Sequence, residues 1–177
     1  MTVVLTGSNP GVLLRASGEV TAFASVWQVD WSEHGRGPAV VLWHAGRVRL
    51  LGPDPGLSAW LAGTFVRHFG EVGGLPWEPR PAETVDVELD LDLGRGLVAK
   101  AGDVVVEIDD VLDRRPFAQD GLDFGGVRYA LSNVYAPCRT ARITVAGTAV
   151  PGVPDVDEAG PSSTAFLAVA ESWTRQD

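Results

Sequence analysis

The sequence predicts a mainly β fold. A single domain, residues 1–177, forms an antiparallel β-barrel or strongly curled sheet with one inserted helix near 55–69. Three observations carry this. Short segments of alternating apolar and polar residues follow one another at short intervals, separated by Gly, Pro and Asp turn signals. Only one stretch before residue 160 has apolar residues at helical spacing. Parallel α/β folds need a helix after nearly every strand, so they are excluded.

Each element can be justified in chain order. Residues 6–11, TGSNPG, read as a turn between two short strands. In TAFASVWQVDW, 21–31, Phe23, Ser25, Trp27, Val29 and Trp31 share one parity and give a strand with a heavy face. SEHGRGP, 32–38, is a loop. AVVLWHA, 39–45, is apolar on both parities, as a strand buried on both faces must be. Gly46 then allows a tight turn into RVRLLG. Between 55 and 69, Leu57, Trp60, Leu61, Thr64, Phe65 and His68 follow helical spacing. Asp54 and Pro55 suit the N-cap and first helical position, and Gly70 suits the stop. Residues 71–83, with three prolines, form a long connection. Strands are then expected at 84–93, 96–101, 103–109, about 111–118, 126–136 and 139–147, the last two separated by Pro137. Residues 151–163 read as a mobile acidic loop. In 164–173, Phe166, Val169, Ala170 and Trp173 fit a helix slightly better than a final strand.

Composition limits the partners. Apolar residues are 45% and charged residues 21% of the chain, values of an ordinary globular domain. A chain of this size buries roughly 70% of its unfolded surface, enough for a sizeable core. The net charge of −9 disfavours nucleic acid and anionic membranes, both of which need a basic face. No apolar run approaches the ~20 residues of a membrane-spanning helix. The lone cysteine, Cys138, excludes an internal disulfide and fits a reducing compartment; with no signal-peptide pattern at the N-terminus, the expected location is cytoplasmic. Thirteen arginines against one lysine, Lys100, with abundant Ala, Gly, Val and Asp, suggest a bacterial genome rich in GC. Nothing in the sequence argues against a homodimer.

The loudest pattern is VDVELDLDL, 85–93. Asp86, Glu88, Asp90 and Asp92 share one parity, and apolar residues share the other. Along a strand these carboxylates stand about 6.5–7 Å apart and point in parallel, so they do not converge on one cation. The row reads as the wet side of a strand, discouraging edge-to-edge pairing and meeting Arg47 and Arg49 across the sheet. The three histidines show no metal-ligand spacing. Cys138 has no adjacent base, and DFGG at 123–126 lacks the other protein-kinase segments. No cofactor and no metal are expected.

What remains is an aromatic inventory that includes six tryptophans. Trp27, Trp43 and His44 lie on two successive strands; Tyr129, Asn133 and Tyr135 share one parity of a later one. A face mixing Tyr and Asn with apolar residues suits a pocket wall, where a few polar groups orient a mostly apolar ligand. The architecture is similar to that of the lipocalins and the wider calycins, which implies a ligand inside the barrel; the N-terminal Gly-x-Trp of lipocalins is absent. The leading expectation is therefore a small-molecule-binding protein holding an apolar or aromatic ligand within the barrel, lined by those six residues. The alternatives are an isomerase, cyclase or hydrolase of a hydrophobic metabolite, using His44, a Tyr and Asp123 as acid and base, and an interaction module that docks a basic partner on its acidic face.

Overall fold

A computed structural model describes residues 1–177. The first strands, β1 (Thr2–Ser8), β2 (Gly11–Ala16), β3 (Glu19–Ser32), β4 (Gly37–His44) and β5 (Arg47–Gly52), meander antiparallel. Helix α1 (Pro55–Thr64) follows, then two 3₁₀ turns at Val66–His68 and Gly70–Val72. The remaining strands are β6 (Glu83–Thr84), β7 (Val87–Asp92), β8 (Gly96–Ala101), β9 (Val104–Val111), β10 (Arg115–Phe124), β11 (Val127–Val145), β12 (Thr148–Ala149), β13 (Val156–Asp157), β14 (Ser162–Ser163) and β15 (Ala165–Gln176).

The sheet closes on itself as a barrel, as expected from the pattern of short strands. β7, β8, β9, the second half of β11, the start of β15, β2, β3, β4 and β5 are neighbours in turn. β5 returns to the start through β6, with which it pairs in parallel (Leu51↔Glu83, Gly52↔Thr84). Twenty buried side chains fill the inside, most of them small: Val12, Ala22, Ala24, Val40, Ala99 and Val106 are typical. A narrow barrel has room for little else.

A second core lies outside this wall. Alternation along β3 and β4 sends Ala22, Ala24, Val26, Val40 and Leu42 inward. Phe23, Trp27, Val29, Val41 and Trp43 go to the other face, beneath α1 and its 3₁₀ extension. β4 is thus buried on both faces, as its unbroken apolar sequence requires. β1, the second half of β15, the first half of β11 and β10 extend the same sheet beyond the barrel and enclose this aromatic core.

Several boundaries differ from those expected. The Asp54 cap is present, its carboxylate accepting from Leu57 N (3.1 Å), with Pro55 beside it. But α1 ends at Thr64. The apolar spacing continues, while tighter turns drive Phe65, Val66 and Val72 into the core. The strand expected near 111–118 is displaced to 115–124. Pro137 does not break the chain: β11 runs unbroken from Val127 to Val145. The proline sits where β11 exchanges β10 for β9 as its neighbour. Its carbonyl accepts from Leu112 N (2.8 Å) on that side, so its missing N–H falls in the gap between two ladders.

The C-terminal segment is a strand, not a helix. Its helical-looking spacing is overridden by pairing with β1, β2 and β11. Residues 151–163 hold the β13–β14 pairing. They are tied down by Arg15 to Asp155 (2.8 Å) and by Arg139 to Glu158 (2.5 Å). The acidic row 86/88/90/92 faces solvent as expected. Its cross-strand partner is Lys100, opposite Glu88, whereas Arg49 instead pairs with Glu83 (2.8 Å) and Asp103 (2.7 Å).

Candidate functional site

β11 and β15 pair in register from Arg128↔Gln176 to Ser132↔Ser172, then slip, resuming at Val134↔Val169. The slip is a bulge on β15. Ala170 takes a left-handed conformation (φ 49°), costly for a residue with a Cβ. Bulges re-aim side chains and recur beside functional sites. Here the bulge lies next to Glu171, the only acidic residue among the buried ones, with 3% of its surface exposed.

The Glu171 carboxylate accepts from Trp173 Nε1 (2.6 Å) and from Asn133 Nδ2 (3.1 Å), and it has no cationic partner. Burial pushes its pKa up to about 7, and the two donors only partly oppose this. At neutral pH the group is therefore divided between acid and carboxylate. The oxygen of that amide, Asn133 Oδ1, is buried without a hydrogen-bond partner.

Glu171 and Asn133 border a groove of about 720 Å³ on the outside of the barrel. β11 and β15 contribute Leu131, Tyr135, Phe166 and Trp173; β10 contributes Phe117, Leu122 and Phe124; the turns after α1 contribute His68, Phe69 and Glu71. The aromatic walls interlock: Phe69 stacks on Trp173 (6.2 Å), and Phe124 lies 5.7 Å from Trp173. At the far end Tyr135 donates to Ser163 O (3.1 Å) and packs on Phe166 (5.6 Å). Arg115 lies over the Tyr135 ring (5.0 Å), but its Nη1 is held by Asp113 and by Pro161 O, both at 2.8 Å. His68 stacks on Phe124 (5.3 Å); burial first, and Arg67 second, lower its pKa, so it is neutral at pH 7.

Of the six residues singled out by sequence, the fold brings two to this groove, Asn133 and Tyr135. Tyr129 lies behind it, edge-on to Trp173 (6.2 Å). Trp27 is buried deeper, stacked against Phe69 (6.4 Å), and its indole nitrogen has no acceptor. Trp43 is part of the second core, its Nε1 donating to Pro76 O (2.8 Å). His44 ends β4 opposite Arg47, away from the groove. The barrel interior, expected to hold a ligand, instead holds packed aliphatic side chains. Cys138 is among them, and burial pushes its thiol up to about 12, far from a reactive thiolate. Asp123 Oδ1 accepts from Gly126 N (2.8 Å) in the β10–β11 turn, a structural role.

Sequence reasoning missed Glu171, Trp173, Phe166 and Phe69. One signal was available. Read as a strand, AFLAVAESW places a lone acid among apolar neighbours, an arrangement that folding tolerates only at a cost. No family model, curated protein or solved structure matches the chain. No helix is long and apolar enough to cross a membrane.

Proposed function

We propose that this protein binds a small, mostly apolar or aromatic molecule, in the external groove and not inside the barrel. The carrying observation is the groove's composition: aromatic walls around a base of two convergent polar groups, Glu171 and Asn133. Its volume of about 720 Å³ lies within the range of small-molecule sites, roughly 300–1,000 Å³. A buried carboxyl with no counter-charge, next to a strained bulge, has a folding cost that a binding role would explain.

Catalysis finds less support. The hydrogen-bond partners of Glu171 are an indole and an amide, neither of which exchanges protons near neutral pH. His44 and Asp123 are not part of the groove.

The test is direct. A neutral aromatic dye such as Nile red should bind and quench tryptophan emission, because Trp173 borders the groove. Leu131→Trp should fill the space and abolish binding while leaving Tm nearly unchanged. Dye binding that survives Leu131→Trp with unchanged affinity places the ligand elsewhere and rejects this reading. Native mass spectrometry of the purified protein would identify any molecule it retains.

A further inference from the structure

We propose that the ligand of this groove is an organic cation with an apolar or aromatic body, its amine or amidine head seated between the Glu171 carboxylate and Asn133 Oδ1. This rests on the groove being the binding site, and it names the class of molecule.

The argument is a count of donors and acceptors. The two donors at the base of the groove, Trp173 Nε1 and Asn133 Nδ2, are both directed at Glu171. A third nearby donor, Asn9 Nδ2, is used on Ser25 Oγ (2.8 Å) and Val26 O (3.0 Å). With Glu171 ionised, what the base still offers is chiefly acceptors, the remaining carboxylate lone pairs and the buried, unpartnered Asn133 Oδ1, against one unused N–H of Asn133 Nδ2. A head group rich in N–H satisfies both. A hydroxyl has one proton and satisfies one. A carboxylate or phosphate would meet the like charge of ionised Glu171, with a single amide N–H left to receive it.

The surrounding charges point the same way. Glu171 makes no salt bridge, and Arg115 is already committed to Asp113. Glu71, from the turns after α1, adds a second negative group to the lining, and neutral His68 adds no positive one. The π faces of Phe69, Phe124, Phe166 and Trp173 favour a cation beside them. A net charge of −9 attracts cations from a distance.

The experiment compares three probes with one body and different heads: 4-phenylbutylamine, 4-phenylbutanol and 4-phenylbutyrate, titrated calorimetrically at neutral pH. The wild-type protein should bind the amine at least ~10-fold more tightly than the alcohol, about the effect of one good charge-assisted contact, and the carboxylate not measurably. Glu171→Gln keeps the shape of the side chain and removes its charge. It should bring the amine down to the alcohol's affinity and leave the alcohol within about twofold of wild type. Equal binding of amine and alcohol to the wild-type protein overturns the cation proposal while leaving the groove as a binding site; so does an amine preference that survives Glu171→Gln. Failure of all three probes rejects the groove itself, and this proposal with it. The wild-type series decides even if Glu171→Gln does not fold.

Discussion

The inside of the barrel and the groove on its outside are built from the same strands, and they have opposite chemistry. Inside, β2, β3, β8, β9 and β15 supply Val, Ala, Leu and Ile, packed against one another, with Cys138 as the only sulfur. Outside, β11 and β15 supply Tyr135, Phe166 and Trp173 with a buried acid between them. β15 serves both regions: its start sends Ala165 and Leu167 into the barrel and Phe166 to the groove, and beyond the Ala170 bulge Glu171 and Trp173 line the groove. Alternation alone gives a strand two faces. The extra residue shifts the parity, so that the groove takes Phe166 before the bulge and Glu171 and Trp173 beyond it.

The largest effects should mark the scaffold. Phe65→Ala, in the second core, should cost about 3–5 kcal/mol, and Ile108→Ala, inside the barrel, about 2–5 kcal/mol. Ala24→Leu should also destabilise, by about 1–3 kcal/mol, because the barrel interior has no room for three more carbons. Chemical denaturation measures all three. If Ala24→Leu is neutral while Leu131→Trp in the groove unfolds the protein, the packed and open regions have been assigned the wrong way round.

A second effect should sharpen the contrast, since the barrel interior has no titratable carboxyl. Glu171 has a folded pKa near 7 against an ordinary 4.5. Protonation therefore favours the folded state. Its contribution is fully present below about pH 4.5, is lost as pH rises through 7, and is flat above that. The difference amounts to about 3 kcal/mol. Carboxylates held below their ordinary range, such as Asp103 beside Arg49, act in the opposite sense in acid, so the wild-type curve alone mixes the two. Glu171→Gln isolates the buried group: between pH 5 and 8 wild type should lose about 3 kcal/mol relative to the variant. Parallel curves would mean that Glu171 is solvated in solution.

The two regions also differ in how far the sequence reveals them. The strands were legible because period-2 alternation and turn residues act locally. The helix start was legible because Asp54 and Pro55 satisfy backbone needs that do not depend on context. Which face of β3 enters the barrel was not legible. Both faces are apolar, and residue size decides: the aromatic parity is too large for the interior. The groove was half legible. Asn133 and Tyr135 stood out as polar groups on an apolar strand, but Glu171 was hidden within a segment whose spacing mimicked a helix. A bulge shifts the alternation by one, and no local propensity announces it. The unbroken β11 was hidden for a related reason: a proline is tolerated where a strand changes partners, and only the tertiary ladder tells where that is.

A smaller effect is expected at the α1 cap. Removing the Asp54 side chain leaves Leu57 N without its acceptor, and Asp54→Ala should cost about 1 kcal/mol. Affinity for a groove ligand should hardly change, because the cap sits at the far end of the segment that reaches the groove only at His68–Glu71. A loss of affinity without loss of stability would instead mean that α1 positions the groove wall.

The smallest effect should come from the acidic row, the most conspicuous pattern in the sequence. Asp90 is 74% exposed, and its nearest cation, Arg95, lies 3.8 Å away and is itself 75% exposed. Such a pair competes with water and salt and contributes little. Asp90→Asn should therefore change stability by less than about 0.5 kcal/mol in denaturant. Calcium or magnesium titrated by calorimetry should give no saturable heat, because the carboxylates of the row stand about 6.5–7 Å apart along β7 and point in parallel. A micromolar site lost in Asp90→Asn would mean that neighbouring carboxylates converge in solution. The comparison would then need a third region, since β7 carries its interior-packed leucines and this row on opposite faces of one strand.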